Sequence, residues 1–377
     1  MLYTEGDHVK YDFVVHPGGN PVDIRIQSRD VTDMAVAVDG SLQLNCRMGN
    51  ITEQAPVSFQ GEKRISTKFN LDKGLIRFEL GGYDRNKTLV IDPSLVWATY
   101  YGNSGGEYGR NCVTDNSGMV YWCGSTESFT SIASGGYQNT YGGGTDAFLV
   151  KFNSNGVRQW ATYYGGTSFD GAYGSCVDNN GFVYIAGITS SGSNIAFNGH
   201  QNTYAGNQDE FLVKFNSNGV RQWATYYGGT LSEFCGFGCI TDNSGAVYIG
   251  GTTASTAGIS SGGFQNAYAG GLYDAYLVKF SGAGVRQWAT YYGGSSDDAI
   301  TNFATANGFI YAAGETSSGT GIASAGHQNT YGGGTDDVFL VKFDTSGARM
   351  WATYYGGSGF DANPSCAVSS TGNEVYL

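Results

Sequence analysis

Hydrophobic and polar positions recur along this chain with a long period. The segment Trp-Ala-Thr-Tyr-Tyr-Gly returns at intervals of 63, 63, 65 and 63 residues, beginning at Trp97, Trp160, Trp223, Trp288 and Trp351. Between these anchors, short apolar runs alternate with glycine-containing turns such as Asp-Asn-Ser-Gly. The pattern predicts four strands per repeat unit, which we call a, b, c and d in chain order. Connections a–b and c–d are predicted as tight hairpins, and b–c as a long loop.

Repeated units of four antiparallel strands are typical of a β-propeller. Strand c supports this because it is apolar on both faces, with Phe148 and Val150 on one face and Leu149 on the other. A β-solenoid is the alternative, but its coils are shorter and its strands parallel. The complete units are predicted at residues 106–164, 167–227, 230–292 and 295–355.

A fifth unit begins at residue 362 and the sequence stops in the middle of its strand b. A lone strand d is predicted at residues 96–101, before the first complete unit. We therefore expect the sequence to be a fragment that forms an open arc, with fast hydrogen exchange at both ends of the array.

Residues 1–94 do not repeat and are predicted to form a small antiparallel β domain, so that the repeats occupy residues 95–377. Turn signals such as Asp39-Gly40 separate its short alternating runs. The predicted strands lie at residues 9–15, 22–27, 34–38, 41–46, 64–71, 74–80 and 88–91.

Composition narrows the function classes. The 60 glycines and 27 tyrosines suit short strands joined by tight turns. A net charge of −12 argues against binding to nucleic-acid phosphates. No run of 18 apolar residues is present, which excludes a predicted membrane-spanning helix. Residues 1–10 lack the pattern of a signal peptide, so either the protein is cytoplasmic or its true N-terminus is missing.

Three sets of acidic residues recur. A ring of such carboxylates would offer Ca²⁺ the hard oxygen ligands it prefers. The alternative is that they accept hydrogen bonds at turns and strand ends, and it is favoured because no EF-hand-like loop is present. No cofactor is therefore predicted. The sets are Glu107, Asp170, Glu233, Asp297 and Asp361; Asp146, Asp209, Asp274 and Asp337; and Asp115, Asp178 and Asp242.

Seven cysteines are present, and we assign Cys112, Cys176, Cys239 and Cys366 to one repeat position that Phe303 fills in the remaining unit. A position that is occupied by cysteine in some units and by phenylalanine in another is expected to be an apolar packing site. The cysteines are therefore predicted to be buried free thiols. Equivalent positions in neighbouring units are expected to exceed the roughly 7 Å Cα separation that a disulfide allows. A local bond between Cys235 and Cys239 remains an alternative.

His200 and His327 align with Tyr137 and Phe264, so they are predicted to pack as flat rings rather than to bind a metal. Repeated basic residues flank the c–d hairpin, where we expect them to discourage edge-to-edge strand pairing. They are Lys151, Lys214, Lys279 and Lys342, with Arg158, Arg221, Arg286 and Arg349.

The motifs W-A-T-Y-Y-G-G, Q-N-T-Y-x-G-G and D-x-F-L-V-K-F, which span residues 95–377, resemble the bacterial SBBP repeat, named for a seven-bladed β-propeller. Residues 10–18, 55–60 and 89–93 are similar to the β domain that commonly precedes such repeats. The resemblance implies a large secreted or cell-surface protein of unassigned biochemical role, often with a C-terminal sorting domain.

No catalytic constellation is visible. Glu127, Glu210 and Glu315 depart from the repeat, but they lie in three separate units. We therefore predict a non-catalytic interaction or structural module whose unknown partner, a protein or a glycan at the cell surface, contacts the b–c loops. No catalytic, cofactor-binding or metal-binding residue is assigned. The alternative is a propeller-type polysaccharide lyase or hydrolase. The loops lie at residues 125–145, 188–208, 252–273 and 315–335.

Overall fold

The computed structural model describes residues 2–5, 8–28, 31–46, 49–72, 74–92, 99, 101–154, 156–369 and 372–377. Contacts divide the chain into two compact parts, an N-terminal part of residues 1–99 and a repeat part of residues 100–377. Within the described residues the structure consists of strands, turns and one 3₁₀ turn, without an α-helix. No helix in these ranges is long and apolar enough to cross a membrane.

Short antiparallel strands form the N-terminal part. They are β1 (Leu2–Glu5), β2 (His8–Tyr11), β3 (Phe13–Val15), β4 (Val31–Val36), β5 (Leu42–Cys46), β6 (Gly49–Glu53), β7 (Val57–Gln60), β8 (Lys63–Ile65), β9 (Thr67–Asp72), β10 (Leu75–Leu80) and β11 (Leu89–Asp92). Their apolar faces enclose a core that includes Leu42, Phe69, Ile76, Leu89 and Ile91. The strands pair in sheets of order β3-β11-β7-β8 and β4-β5-β6, accompanied by the pairs β1-β2 and β9-β10.

The strand predicted at residues 22–27 is absent from this part. Pro21–Asp23 form a 3₁₀ turn, and Ile26 makes only an isolated bridge with Ile76. Proline fixes its own backbone angle and has no N–H to donate, so the alternation that follows it does not extend a sheet.

Four complete repeat units follow, each a four-stranded antiparallel sheet in the order a-b-c-d. The predicted β-propeller-type array is confirmed. The strands of the first and second units are β12 (Glu107–Thr114), β13 (Val120–Thr126), β14 (Asp146–Phe152), β15 (Arg158–Tyr164), β16 (Asp170–Val177), β17 (Val183–Thr189), β18 (Asp209–Phe215) and β19 (Arg221–Tyr227). Those of the third and fourth are β20 (Glu233–Thr241), β21 (Val247–Thr253), β22 (Asp274–Phe280), β23 (Arg286–Tyr292), β24 (Asp298–Ala306), β25 (Phe309–Thr316), β26 (Asp337–Phe343) and β27 (Arg349–Tyr355).

A fifth unit begins with the short strands β28 (Ala367–Val368) and β29 (Val375–Tyr376), which pair with each other. The first of them is shorter than the predicted strand at 362–368. Of the predicted strand at residues 96–101, residues 96–98 and 100, and with them Trp97, lie outside the described residues.

In the first three units, the tryptophan of strand d forms a hydrogen bond with the c–d turn of the next unit. The indole Nε1 of Trp160 donates to the carbonyl oxygen of Ser217 in the next c–d turn, at 2.9 Å. Gly219 of that turn has φ +76°, and a Cβ placed there would lie 2.8 Å from the Trp160 ring. Glycine is therefore required by both the turn and the approach of the indole. Trp223 repeats the contact with Gly282.

The repeated lysines and arginines also join units, and for the lysines the predicted role in protecting sheet edges is wrong because strand c is not an edge strand. Lys214 lies on β18, a strand paired on both sides, and only 8% of the residue is exposed. Its Nζ donates to the Gly282 carbonyl at 3.0 Å. The Arg221 guanidinium lies over the rings of Tyr137 and Phe197, at 4.3 and 4.6 Å from their centroids.

Candidate functional site

The long b–c loops return along the strand d of their own unit, where a glutamine holds each of them. In the first unit, the backbone N–H of Gln138 donates to Thr162 Oγ1 at 2.8 Å. The Gln138 side chain accepts from Gly165 N at 3.2 Å and donates to the Thr140 carbonyl at 3.1 Å. Gln201, Gln265 and Gln328 make the corresponding bonds to the glycine in their units. The Gln-Asn-x-Tyr motif therefore shapes a recurrent polar loop.

Two open cavities adjoin the first of these loops. A cavity of about 490 Å³ is lined by Tyr137, Asn139, Tyr141 and Asn194, together with residues of the glutamine turn. A neighbouring cavity of about 510 Å³ shares Asn139–Tyr141 as a wall and is bounded by Phe129. Two of the aromatic residues that line these cavities are exposed, Phe129 to 66% and Tyr137 to 41%. The surface thus combines aromatic rings with amide groups.

Behind the loops, buried carboxylates meet in pairs between neighbouring units. Asp146 begins strand c of the first unit and Asp170 begins strand a of the second, and both residues are fully buried. A Cβ placed on Gly165 would lie 2.5 Å from Asp146 Oδ1 and 2.9 Å from Asp170 Oδ2, so the two carboxylates face the same glycine. The other pairs are Asp209 with Glu233, Asp274 with Asp298, and Asp337 with Asp361.

One oxygen of each strand-c aspartate lacks a hydrogen-bond donor among the described residues. Asp146 Oδ2 accepts from Gly142 N at 2.7 Å, whereas its Oδ1 has no donor, and the same holds for Oδ1 of Asp209, Asp274 and Asp337. Burial, to which the charge of Asp170 adds, raises the pKa of Asp146 to about 7. Burial also raises the pKa of Asp170, opposed by hydrogen bonds from Thr189, Gly166 and Ser191. Each pair therefore favours holding a proton.

In the fourth unit, the prediction of Asp297 as the counterpart of Asp170 is wrong. Asp298, rather than Asp297, accepts the hydrogen bonds that Asp170 accepts in the second unit, from Gly294 N at 2.7 Å and Ser318 Oγ at 2.9 Å. Asp297 accepts from Leu272 N at 2.5 Å. The two acids are consecutive in sequence, so spacing alone could not decide between them.

The third acidic set forms turns as predicted. Asp178 Oδ1 accepts from the backbone N–H groups of Asn180 and Phe182 at 2.9 and 3.0 Å, and Asp115 and Asp242 do the same in their turns. The recurrent carboxylates thus lie in pairs between units or accept hydrogen bonds in turns. Across the described residues, no three Asp, Glu, His or Cys side chains come close enough together to hold a metal ion.

Among the acids that break the repeat, Glu210 has the most unusual surroundings. It replaces Ala147 and Ala275 of the neighbouring units, and it is fully buried, as is Tyr276. The Tyr276 hydroxyl donates to Glu210 Oε2. Burial raises the pKa of Glu210 to about 8. The carboxyl group therefore favours its neutral form in the interior rather than facing a substrate, and among the described residues it forms no metal-binding cluster with Glu127 and Glu315.

Cys176 does not share the repeat position assigned to Cys112, Cys239 and Cys366. Cys239 lies opposite the isoleucine of its Val-Tyr-Ile motif, and the residue opposite that isoleucine in the second unit is Ser175, so that Cys176 is one residue further along. A bulge between Cys235 and Cys239 is longer than its counterpart in the second unit and hides this offset in the sequence. The sulfur atoms of Cys176 and Cys239 lie 3.1 Å apart. The assignment of Cys176 and Cys239 to equivalent positions is therefore wrong, and the separation expected for equivalent positions does not apply to this pair.

The histidine prediction is confirmed for His200. Its ring lies 6.4 Å from that of Tyr227 and 6.2 Å from that of Phe280, matching the packing of Tyr137 and Phe264 in their units.

The cavities beside the first loop could not be predicted from the repeat, because Gln-Asn-Thr-Tyr also occurs in the second and fourth units.

Comparisons with known proteins cover parts of the chain. Residues 1–94 match a family described as a domain of unknown function (DUF7948). Regulatory protein FlaEY of Caulobacter vibrioides is 33% identical over 133 residues, which are 34% of this chain and 13% of that protein. A crystal structure of the K499G mutant of NanB sialidase from Streptococcus pneumoniae aligns with a TM-score of 0.39 and 8% identity, over 85% of this chain and 65% of the sialidase chain. The chain therefore spans less than two thirds of each of these relatives.

Proposed function

We propose that this protein is a non-catalytic binding module of the cell surface or extracellular space, built from SBBP-type repeats, and that its b–c loops contact a glycan. The observation that carries the proposal is the open cavity of about 490 Å³ walled by Tyr137, Tyr141, Asn139 and Asn194. Sugar rings present apolar C–H faces and a rim of hydroxyl groups. Partly exposed phenol rings such as that of Tyr137 can pack against the C–H faces, and side-chain amides donate to and accept from the hydroxyl groups.

The chemistry of the cavity wall supports binding rather than turnover. Neither of the two cavities beside the first loop is lined by an acidic, histidine or cysteine side chain. Hydrolysis of a glycoside generally requires a carboxylic acid and a second carboxylate flanking the bond. The acids of the repeat part that are buried, such as Asp146 and Glu210, are instead turned inward.

Binding is tested with a panel of soluble polysaccharides and oligosaccharides in isothermal titration calorimetry. Tyr141→Ala removes one aromatic wall of both cavities, and we expect it to weaken binding about tenfold, which is ~1.4 kcal/mol. Tyr331→Ala is the matched control, because Tyr331 occupies the same position of the fourth unit and packs on Tyr354 as Tyr141 packs on Tyr163. Equal losses in the two variants would show that the effect is structural.

Two further results would contradict the proposal. Release of reducing ends or unsaturated sugar products by the wild-type protein would favour the polysaccharide lyase or hydrolase alternative. Protease treatment of intact producing cells tests the location: surface-exposed protein is cleaved before lysis, and complete protection would contradict it.

A further inference from the structure

Two thiols from neighbouring units meet inside the repeat part. Cys176 lies on β16 and Cys239 on β20, the first strands of the second and third units, and both are free cysteines. Because they are offset by one position and neighbouring residues of a strand point to opposite faces, Cys176 faces the third unit and Cys239 faces the second. Their sulfur atoms are 3.1 Å apart, closer than a van der Waals contact between thiols requires.

A small cavity leads to this pair. It has a volume of about 270 Å³ and is lined by both cysteines together with Asn111, Asn302 and Phe303, among others. Cys176 and Cys239 retain 7% and 8% exposure, respectively. Such an opening admits a reagent of the size of hydrogen peroxide more readily than a peptide disulfide.

We propose that Cys176 and Cys239 are a site of reversible oxidation, at which peroxide converts the two thiols into a disulfide that joins the second unit to the third. The thiolate of one cysteine attacks an oxygen of H₂O₂, which forms a sulfenic acid and releases hydroxide. The sulfur of the other cysteine attacks the sulfenic sulfur, forming the S–S bond and releasing water. The two sulfur atoms lose two electrons in total, and one H₂O₂ becomes two waters once the thiol protons are counted.

The array also contains a cysteine that serves as a control for this bond. Cys366 occupies the position of Cys239 in its own unit, with the same approach to a tyrosine carbonyl of the preceding unit. The residue of the fourth unit that matches Cys176, however, is Ala304, which lies opposite Tyr311 as Cys176 lies opposite Tyr184. Cys366 therefore provides a matched control with a similar environment and no sulfur facing it.

The full chain is reduced, desalted and treated with a small molar excess of H₂O₂. It is then unfolded in a denaturant that contains N-ethylmaleimide, which alkylates the remaining thiols, and digested with chymotrypsin. Cleavage after Phe237 separates Cys235 from Cys239. We expect a cross-linked peptide pair containing Cys176 and Cys239, lighter by two hydrogen atoms, and loss of two of the seven thiols. Reduction should restore both thiols.

Cys366→Ala should give the cross-link in wild-type yield, whereas Cys176→Ala and Cys239→Ala should abolish it. The wild-type peptide map decides the matter even if a variant fails to fold. Recovery of Cys176 and Cys239 as alkylated thiols, their conversion to sulfinic acids, or a bond between Cys235 and Cys239 would each overturn the proposal.

Discussion

The segment Trp-Ala-Thr-Tyr-Tyr occurs at residues 223–227 and again at 351–355, yet the two copies have different surroundings. Tyr227 is 1% exposed and Tyr355 is 64% exposed. The Tyr227 ring packs at 6.0 Å from Tyr276 and 5.8 Å from Phe280, both from the third unit, and its hydroxyl donates to the Ile259 carbonyl. After Tyr355 the described residues form only the short pair β28–β29.

Identical residues are thus core in one place and surface in another, because the neighbouring unit supplies the other half of the core. Tyr227 belongs to the cluster that also contains Leu212 of its own unit and Val247 and Ile249 of the next. Stability in such an array is a property of the interfaces between units as much as of the units themselves. Matched substitutions at internal and terminal copies therefore measure the contribution of an interface directly.

The largest contrast is expected for the final tyrosine of the segment. Tyr227→Ala deletes a buried ring and its hydrogen bond, and we expect it to lower the free energy of unfolding by about 3–5 kcal/mol, as for other large-to-small core changes. Tyr355→Ala removes an exposed ring and should change it by less than about 0.5 kcal/mol. Urea unfolding followed by tryptophan fluorescence measures both.

Similar losses at the two positions would contradict the comparison, because they would place Tyr355 in a packed interface. A three-state transition in Tyr227→Ala, with the first and second units unfolding apart from the third and fourth, would sharpen it.

A smaller contrast is expected at the second glycine after each segment. A Cβ on Gly229 would lie 2.5 Å from the Ala257 carbonyl oxygen, whereas one on Gly357 would meet nothing within 4 Å. We expect Gly229→Ala to destabilise the protein by about 1–3 kcal/mol through overpacking. Gly357→Ala should be neutral, or should stabilise by up to about 1 kcal/mol by restricting the unfolded chain. Thermal unfolding of both variants beside the wild type provides the measurement, and destabilisation by Gly357→Ala would be the contrary result.

The period of the sequence was sufficient to predict the strands of the repeat part. Alternation identified the strands, and glycine turns such as that ending at Gly219 identified the hairpins, because both depend on local geometry. The position of a side chain on one face or the other was harder to predict. The bulge between Cys235 and Cys239 adds residues to the strand, which moves the side chains after it to the opposite face of the sheet. The spacing from the preceding tryptophan therefore no longer indicates on which face Cys239 lies.

The sites between units were also out of reach of the repeat pattern alone. Lys214 resembles an exposed charge in the sequence, but it bonds a carbonyl 68 residues away. The strand-c acids resemble turn residues, but each is buried against an acid of the next unit, as Asp146 is against Asp170. Such contacts join residues of neighbouring units, and nothing in a single unit indicates what the next unit places opposite.

The smallest contrast between an internal and a terminal site is expected in the pH dependence of stability, and it follows from these acid pairs. Burial raises the pKa of Asp274 from 3.8 to about 7, and the charge of Asp298 adds to the shift. The folded state therefore binds a proton more tightly than the unfolded state does. The resulting stabilisation is complete below the unfolded pKa, near pH 4, and is lost as the pH rises through about 7.

Asp274→Asn should flatten this decline, because a neutral amide replaces the group that must otherwise lose its proton, while its oxygen can still accept from Ala269 N as Asp274 Oδ2 does at 2.7 Å. Asp337→Asn is the terminal counterpart. The pKa of Asp337 is also raised by burial, but its partner Asp361 is only half-buried, so water relieves the repulsion and the slope should change less. Urea midpoints measured at intervals from about pH 4 to 8 give the slopes for the wild type and both variants. The prediction would be contradicted by a wild-type stability that rises over this range, or by an Asp274→Asn slope equal to that of the wild type. Either result would show that Asp274 does not bind a proton more tightly in the folded state.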